Sequence, residues 1–133
     1  MTEAEKKLIP PDTEIRLDNI AYRQMILKAF EQHQSAGHGN SNSANRFFLA
    51  QVLWDETMAD GIAKFIKANQ DYQVVVLAGQ GHVVYGYGIP SRVERRIKDS
   101  DKDKKFTQRS VLLSVPDITP IEEHKPVADF ILK

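Results

Sequence analysis

The chain has 133 residues, 41% of them hydrophobic and 27% charged, a composition ordinary for one globular domain with a single core. It has no cysteine, which rules out disulfides, thiolate metal sites and a cysteine nucleophile. A formal net charge of zero and a pI near 6.9 give no overall attraction to nucleic acid or to an anionic membrane surface.

No apolar stretch approaches the roughly 20 residues that a transmembrane segment needs. The start, MTEAEKKLIPPD, is charged and then proline-rich, and does not read as a signal peptide. It is expected to make at most one helical turn before Pro10-Pro11. Asp18 is the expected N-cap of a first helix, in which Ile20, Tyr22, Met25, Ile26, Ala29, Phe30 and His33 recur at helical spacing. Residues 35–45, SAGHGNSNSAN, hold nothing apolar larger than alanine and read as a mobile loop. His33 and His38 flank this loop as a weak metal pair or, more simply, as solvated side chains.

A second helix is expected over about Arg46 to Lys67. At about 100° per residue, Phe47, Ala50, Trp54, Met58, Gly61 and Phe65 share one stripe, which Phe48, Ile62 and Ile66 widen. That stripe is assigned to the core. Gln51 and Asp55 lie along its widened edge and aim inward, whereas Glu56 falls on the opposite side with Asp60, Ala63 and Lys67 and is assigned to solvent.

The stretch that organises the chain is Gln73 to Ile97. Its apolar run Val74-Val75-Val76-Leu77-Ala78 shows no polar alternation and reads as a strand covered on both faces. A loop with Gly79, Gly81, Gly86 and Gly88 follows, holding His82, Tyr85 and Tyr87. A short basic helix is expected from Pro90 to Ile97. Ligands of open α/β sheets bind outside the carboxyl ends of such strands, where His82 sits.

Lys98 to Lys105, KDSDKDKK, reads as an exposed loop. Ser110 to Val115 reads as another buried strand ended by Pro116, and Val127 to Leu132 as a last one. Residues 92–109 hold eight Lys or Arg against four Asp or Glu, too mixed to argue nucleic acid. Glu122, Glu123 and His124 are adjacent in an irregular loop and read as solvated. The fold class is α/β: a small, mainly parallel sheet with helices on both faces, a partial α/β/α sandwich formed by one domain over residues 1–133. Three strands make a thin sheet, so part of it is expected from elsewhere, by homodimerisation or from a missing N-terminal half.

Certain residues carry a family resemblance. They are Ala50, Gln51, Asp55, Glu56, Met58 and Ala59 on the second helix, Gly79 and His82 after the strand, then Tyr85, Gly86, Gly88, Pro90 and Arg92. From Ala21 to the end the chain resembles the ChaN-like haem-binding uptake family, related to the erythromycin-esterase-like and Tiki-type proteins. The family's G-E-x-H segment is absent from this sequence, so the chain looks like the C-terminal portion of the larger domain. The resemblance implies an α/β/α sandwich, haem or iron acquisition, and a cell-envelope or periplasmic location.

Each candidate has two readings. His82 is a metal or haem ligand, a propionate partner or a general base, or else a loop histidine bonded to backbone. Tyr85 and Tyr87 could ligate ferric haem through a phenolate, Tyr85 being the better placed, or simply pack. Gly79 and Gly81 with the following helix start, and Arg92, could receive a haem propionate, or form a tight turn beside a surface arginine. Gln51 and Asp55 could orient His82 or cap loops. Gly79-x-Gly81 also begins like a dinucleotide fingerprint, but Val84 stands where the third glycine belongs. Two alternatives to haem binding follow: a hydrolase with His82 as general base or divalent-metal ligand and Asp55 as its orienter, and an inactive fragment that folds by association.

Overall fold

The computed structural model describes residues 1–33, 41–117 and 124–132. Helix α1 (Glu3–Lys6) is a single turn closed by a capping box, in which Thr2 Oγ1 accepts from the Glu5 N–H and Glu5 Oε2 accepts from the Thr2 N–H. Pro10-Pro11 follow it, and a 3₁₀ turn covers Asp12–Glu14. Helix α2 (Ile20–His33) is capped by Asn19, not by the expected Asp18: Asn19 Oδ1 accepts from the Tyr22 N–H at 2.8 Å.

Helix α3 (Ser41–Ala68) is the longest element, at 28 residues. Residues 41–45 of the expected mobile loop belong to it, while 35–40 lie outside the described residues. Its buried positions are Phe48, Val52, Asp55, Glu56, Ala59 and Ala63, which recur at helical spacing against α2 and against α4 (Ile89–Ser100). This face keeps only the widened edge of the expected stripe and Met58: Phe48 is buried, and Met58, Ile62 and Ile66 pack against the apolar cluster that includes Val93 and Ile97. Phe47, Trp54 and Phe65 are exposed, Trp54 at 62%, and Glu56 is fully buried. The assignment of Glu56 to solvent and of Trp54 to the core is therefore reversed. The apolar stripe is the richer in large hydrophobic residues, but α4 packs on the other side, where Val93 and Ile97 meet Ala59 and Ala63 and its arginines surround Glu56.

The expected central strand is also not formed. Val74 to Ala78 is without regular structure, with Val75 79% and Leu77 92% exposed, and Gln73 to Ala78 exchange no backbone hydrogen bond with other described residues. A strand's backbone groups need a neighbour to pair with, and apolar content cannot supply one. The described sheet consists of β1 (Val111–Leu112) and β2 (Phe130–Ile131), parallel, with Val111 opposite Phe130 and Leu112 opposite Ile131. Of the expected buried strand Ser110 to Val115, only Leu112 is buried, while Leu113 and Val115 are exposed. Asp129 Oδ2 accepts from the Ser110 N–H at 2.7 Å and fixes the register.

The chain is thus a mainly helical α/β mix. One apolar cluster joins Tyr22, Met25 and Ile26 of α2 with Phe48 and Val52 of α3 and with Val84, Tyr85 and Tyr87; a second joins Ala59 and Ala63 with Ile89, Val93 and Ile97 of α4. Among the described residues no helix is long and apolar enough to cross a membrane.

Candidate functional site

The site is assembled where α2, α3 and the glycine turn meet. Gln51 and Asp55 lie one turn apart on α3, so both side chains leave the same face of the helix. Opposite them, residues 80–82 form a 3₁₀ turn held by the His82 N–H donating to Gly79 O at 3.0 Å, which swings the imidazole back toward α3. His82 Nδ1 lies 2.7 Å from Asp55 Oδ1 and 3.0 Å from Gln51 Nε2. Tyr22 of α2 completes the group, its hydroxyl donating to Asp55 Oδ2 at 2.5 Å, while Gln51 Nε2 donates to the Tyr22 oxygen at 3.2 Å.

Asp55 and Tyr22 are both fully buried, and His82 is 16% exposed at its side chain. The outer nitrogen, Nε2, has no hydrogen-bond partner among the described residues. Its ring lies 6.2 Å from that of exposed Trp54. Burial pushes the Asp55 carboxyl above its ordinary value, against the hydrogen bonds from Tyr22 and His82 and the charge of Arg92, which pull it down. Burial likewise raises the Tyr22 hydroxyl, aided by the Asp55 charge, so Tyr22 remains a donor.

Glycine is required at position 88. A Cβ there would stand 2.4 Å from His82 O and 3.1 Å from Asp55 Oδ1. Gly79 and Gly81 border the same group: a Cβ on the first would approach His82 Cδ2 at 3.7 Å, and on the second Gln51 Nε2 at 4.0 Å. Tyr85 stands in the left-handed region at φ 57°, followed by Gly86 at 68°, and its N–H donates to Val127 O at 2.8 Å. That kink turns Tyr85 into the α2 cluster, where it is buried with its ring 5.5 Å from that of Tyr87. No hydrogen bond joins Tyr85 to His82, Asp55 or Gln51 among the described residues.

Arg92 is buried too. It donates to the carbonyls of Tyr87 at 2.6 Å, Gly88 at 3.1 Å and Arg16 at 3.0 Å, and so locks the chain reversal before α4. Its Nε lies 3.2 Å from Glu56 Oε1, at ion-pair distance but not aimed along the contact, so it makes no hydrogen bond. Of the two readings of Arg92, the surface arginine is excluded by its burial, and these bonds make it a clamp on the backbone. Glu56 also receives Arg95 at 2.7 Å and Arg96 at 2.9 Å, with the Arg16 N–H at 3.0 Å. Burial opposes its charge, yet the hydrogen bonds from Arg95, Arg16 and Arg96 win and hold Glu56 below the ordinary glutamate range.

His33 Nδ1 contacts its own helix at Ala29 O, 2.8 Å away, and His124 is exposed; His38, Glu122 and Glu123 lie outside the described residues. Among the described residues no three His, Asp or Glu side chains converge as a metal site would require.

Two residues escaped the sequence reading. Tyr22 was counted only as an apolar helix position, although a buried tyrosine needs a partner for its hydroxyl. Glu56 was placed by helical angle alone. Its signal lay in α4, where Arg92, Arg95 and Arg96 stand three and four residues apart and so present three cations on one face.

Residues 1–93 match the family described as "Haem-binding uptake, Tiki superfamily, ChaN". The chain belongs to this family. No curated protein and no solved structure matches it. The match starts ahead of Ala21 and ends at Val93, so the closing VADFIL segment lies outside it.

For a ChaN-family chain, haem is the group against which the site must be tested. The residues that would hold it reduce to one donor to iron: the His82 imidazole, whose Nδ1 is held and whose Nε2 has no hydrogen bond among the described residues, near the exposed Trp54 ring. The site does not offer a second contact at the same place, since Tyr85 is buried and Arg92 is buried with Nη1 and Nη2 on backbone carbonyls and Nε beside Glu56. Two clefts of about 350 and 260 Å³ are lined by polar and charged side chains, and His82 belongs to neither.

Proposed function

We propose that the chain binds haem, or a related iron tetrapyrrole, with His82 Nε2 as the ligand on the iron. The observation that carries this reading is the Asp55–His82 contact at 2.7 Å, which holds one nitrogen of a partly exposed ring and leaves the other without a hydrogen bond among the described residues. When bound, haem iron supplies an open coordination position that an imidazole nitrogen can fill. The protein's part is to hold the ring through Asp55 and Gln51, to keep approach open with Gly79 and Gly81, and to offer the Trp54 face.

A flat ligand on so open a face needs a second wall. The exposed run from Val75 to Leu77 leads directly into the His82 turn, and a second copy of the chain, or the upstream half of the domain, would pair with it and enclose the ligand in the expected sandwich. Residues 73–80 hold no charged side chain, so two copies could pair there without like-charge repulsion. The family's description, haem-binding uptake, supports a role in the uptake of haem or its iron, which we place at the cell envelope.

Haem titration followed at the Soret band tests the reading. Wild type is expected to saturate with a shifted band that His82→Ala loses and Tyr85→Phe retains. Equal spectra for wild type and His82→Ala would remove His82 as the ligand. Sedimentation at two concentrations tests pairing, since a monomer at both excludes it.

The same contact favours one other reading, a hydrolase in which His82 takes a proton or holds a divalent metal and Asp55 orients it. Elemental analysis separates the two: the metallohydrolase predicts stoichiometric zinc or manganese that His82→Ala loses. Binding of neither haem nor metal would leave the third reading, a fragment whose role is association alone.

A further inference from the structure

His82 Nδ1 has two neighbours that make opposite demands. Asp55 Oδ1, at 2.7 Å, can only accept when ionised and so needs a proton on Nδ1. Gln51 Nε2, at 3.0 Å, is a donor and needs a lone pair there. One nitrogen cannot meet both. If Asp55 wins, Nδ1 carries the proton and the outer Nε2 presents its lone pair. If Gln51 wins, Nε2 carries the proton and can neither ligate a metal nor accept a proton.

We propose that Tyr22 is the positioning residue that decides this contest. Its hydroxyl pins Asp55 Oδ2 at 2.5 Å, which fixes the rotation of the carboxylate and leaves Oδ1 directed at Nδ1. The same phenol oxygen accepts one of the two Gln51 amide hydrogens at 3.2 Å and so orients the amide, whose second hydrogen is the one that competes for the ring. A single hydroxyl thus strengthens one claimant and fixes the orientation of the other. Tyr22 is itself immobile: it is fully buried, with its ring 6.0 Å from those of both Phe48 and Tyr87 and the Arg92 guanidinium 5.5 Å above its face. Its hydroxyl oxygen is therefore placed by packing, independently of the bonds it makes. Tyr22 touches no ligand and acts only through Asp55 and Gln51. This deepens the reading of His82 as the ligand-facing group, and it holds whether that group receives iron or a proton.

The test uses the chain without ligand. Nitrogen-15 NMR of the His82 ring, recorded above the pH at which the ring itself titrates, distinguishes a protonated from an unprotonated Nε2. Wild type is expected to show one tautomer, protonated at Nδ1. Tyr22→Phe keeps the ring and its packing and is expected to give a mixture, with Nε2–H now populated. Tyr22→Phe with Gln51→Leu removes the competing donor and is expected to restore the wild-type pattern. A wild-type ring protonated at Nε2, an unchanged spectrum in Tyr22→Phe, or no restoration in the double variant would each overturn the proposal. Circular dichroism verifies that the variants are folded. Because no haem is present, a failed haem titration leaves this result standing, and a failed tautomer experiment leaves haem binding to be judged by its own spectrum.

Discussion

Two regions of the chain contradict hydropathy in opposite directions. The seam between α3 and α4 is charged and buried, with Glu56 fully enclosed among Arg92, Arg95 and Arg96, and with Glu14 and Asp60 also accepting from Arg96. The run from Gln73 to Ala78 is uncharged and exposed. The seam closes because three guanidinium groups meet three carboxylates, and because further donors reach carbonyls, such as Arg92 to Tyr87 and Arg95 to Glu14, although Nε of Arg92 and of Arg96 makes no hydrogen bond among the described residues. The apolar run stays open because no described segment pairs with its backbone. Burial follows the presence of a complementary partner more closely than it follows the hydrophobicity of either side.

The largest effect is expected from breaking the seam. Glu56→Ala leaves buried Arg92 and Arg96 and partly exposed Arg95 without their shared anion and is expected to cost about 3–5 kcal/mol, the range for removing one partner of a buried ion pair. Urea denaturation of the purified variant measures it, and a loss below about 1 kcal/mol would show that the seam does not hold the helices together.

A smaller effect is expected from pH. Glu56 has a native pKa below its ordinary value of 4.5, so its contribution is complete above that value and is lost as pH falls through the lowered native one. Asp55 has the opposite sign. Its native pKa lies above the ordinary 3.8 because burial disfavours the charge, so its contribution is complete below 3.8 and is lost as pH rises through the raised value. The two groups act against each other, so the test is the difference between proteins: Glu56→Gln should lose less stability than wild type as pH falls below 4.5. Parallel curves for the two proteins would place the acid sensitivity elsewhere.

The smallest effect on folding is expected in the open region. Leu77→Asp changes a side chain that is 92% exposed and should alter the stability of the single chain by no more than about 0.5 kcal/mol. Its consequence should appear in association, as a loss of any concentration-dependent dimer in sedimentation. A large loss of monomer stability would mean that the run is covered after all.

Much of the local structure was legible from residue order. The first-turn helix before Pro10-Pro11, the helices around Met25 and Met58, and the short basic helix after Pro90 follow from spacing and from proline, which act within a few residues of one another. The edge shared by Gln51 and Asp55 follows from helical geometry, and the structure brings both to His82. The family is set by sequence alone. Tertiary structure decided which face of α3 turned inward, and with it the exposure of Trp54, the burial of Glu56 and the use of Tyr22 as a partner for Asp55. Those outcomes depend on contacts between residues 33 to 40 positions apart, such as Tyr22 with Asp55 and Glu56 with Arg96. No periodicity within one helix encodes them, because the partners that cover the face, apolar side chains as well as arginines, belong to other helices.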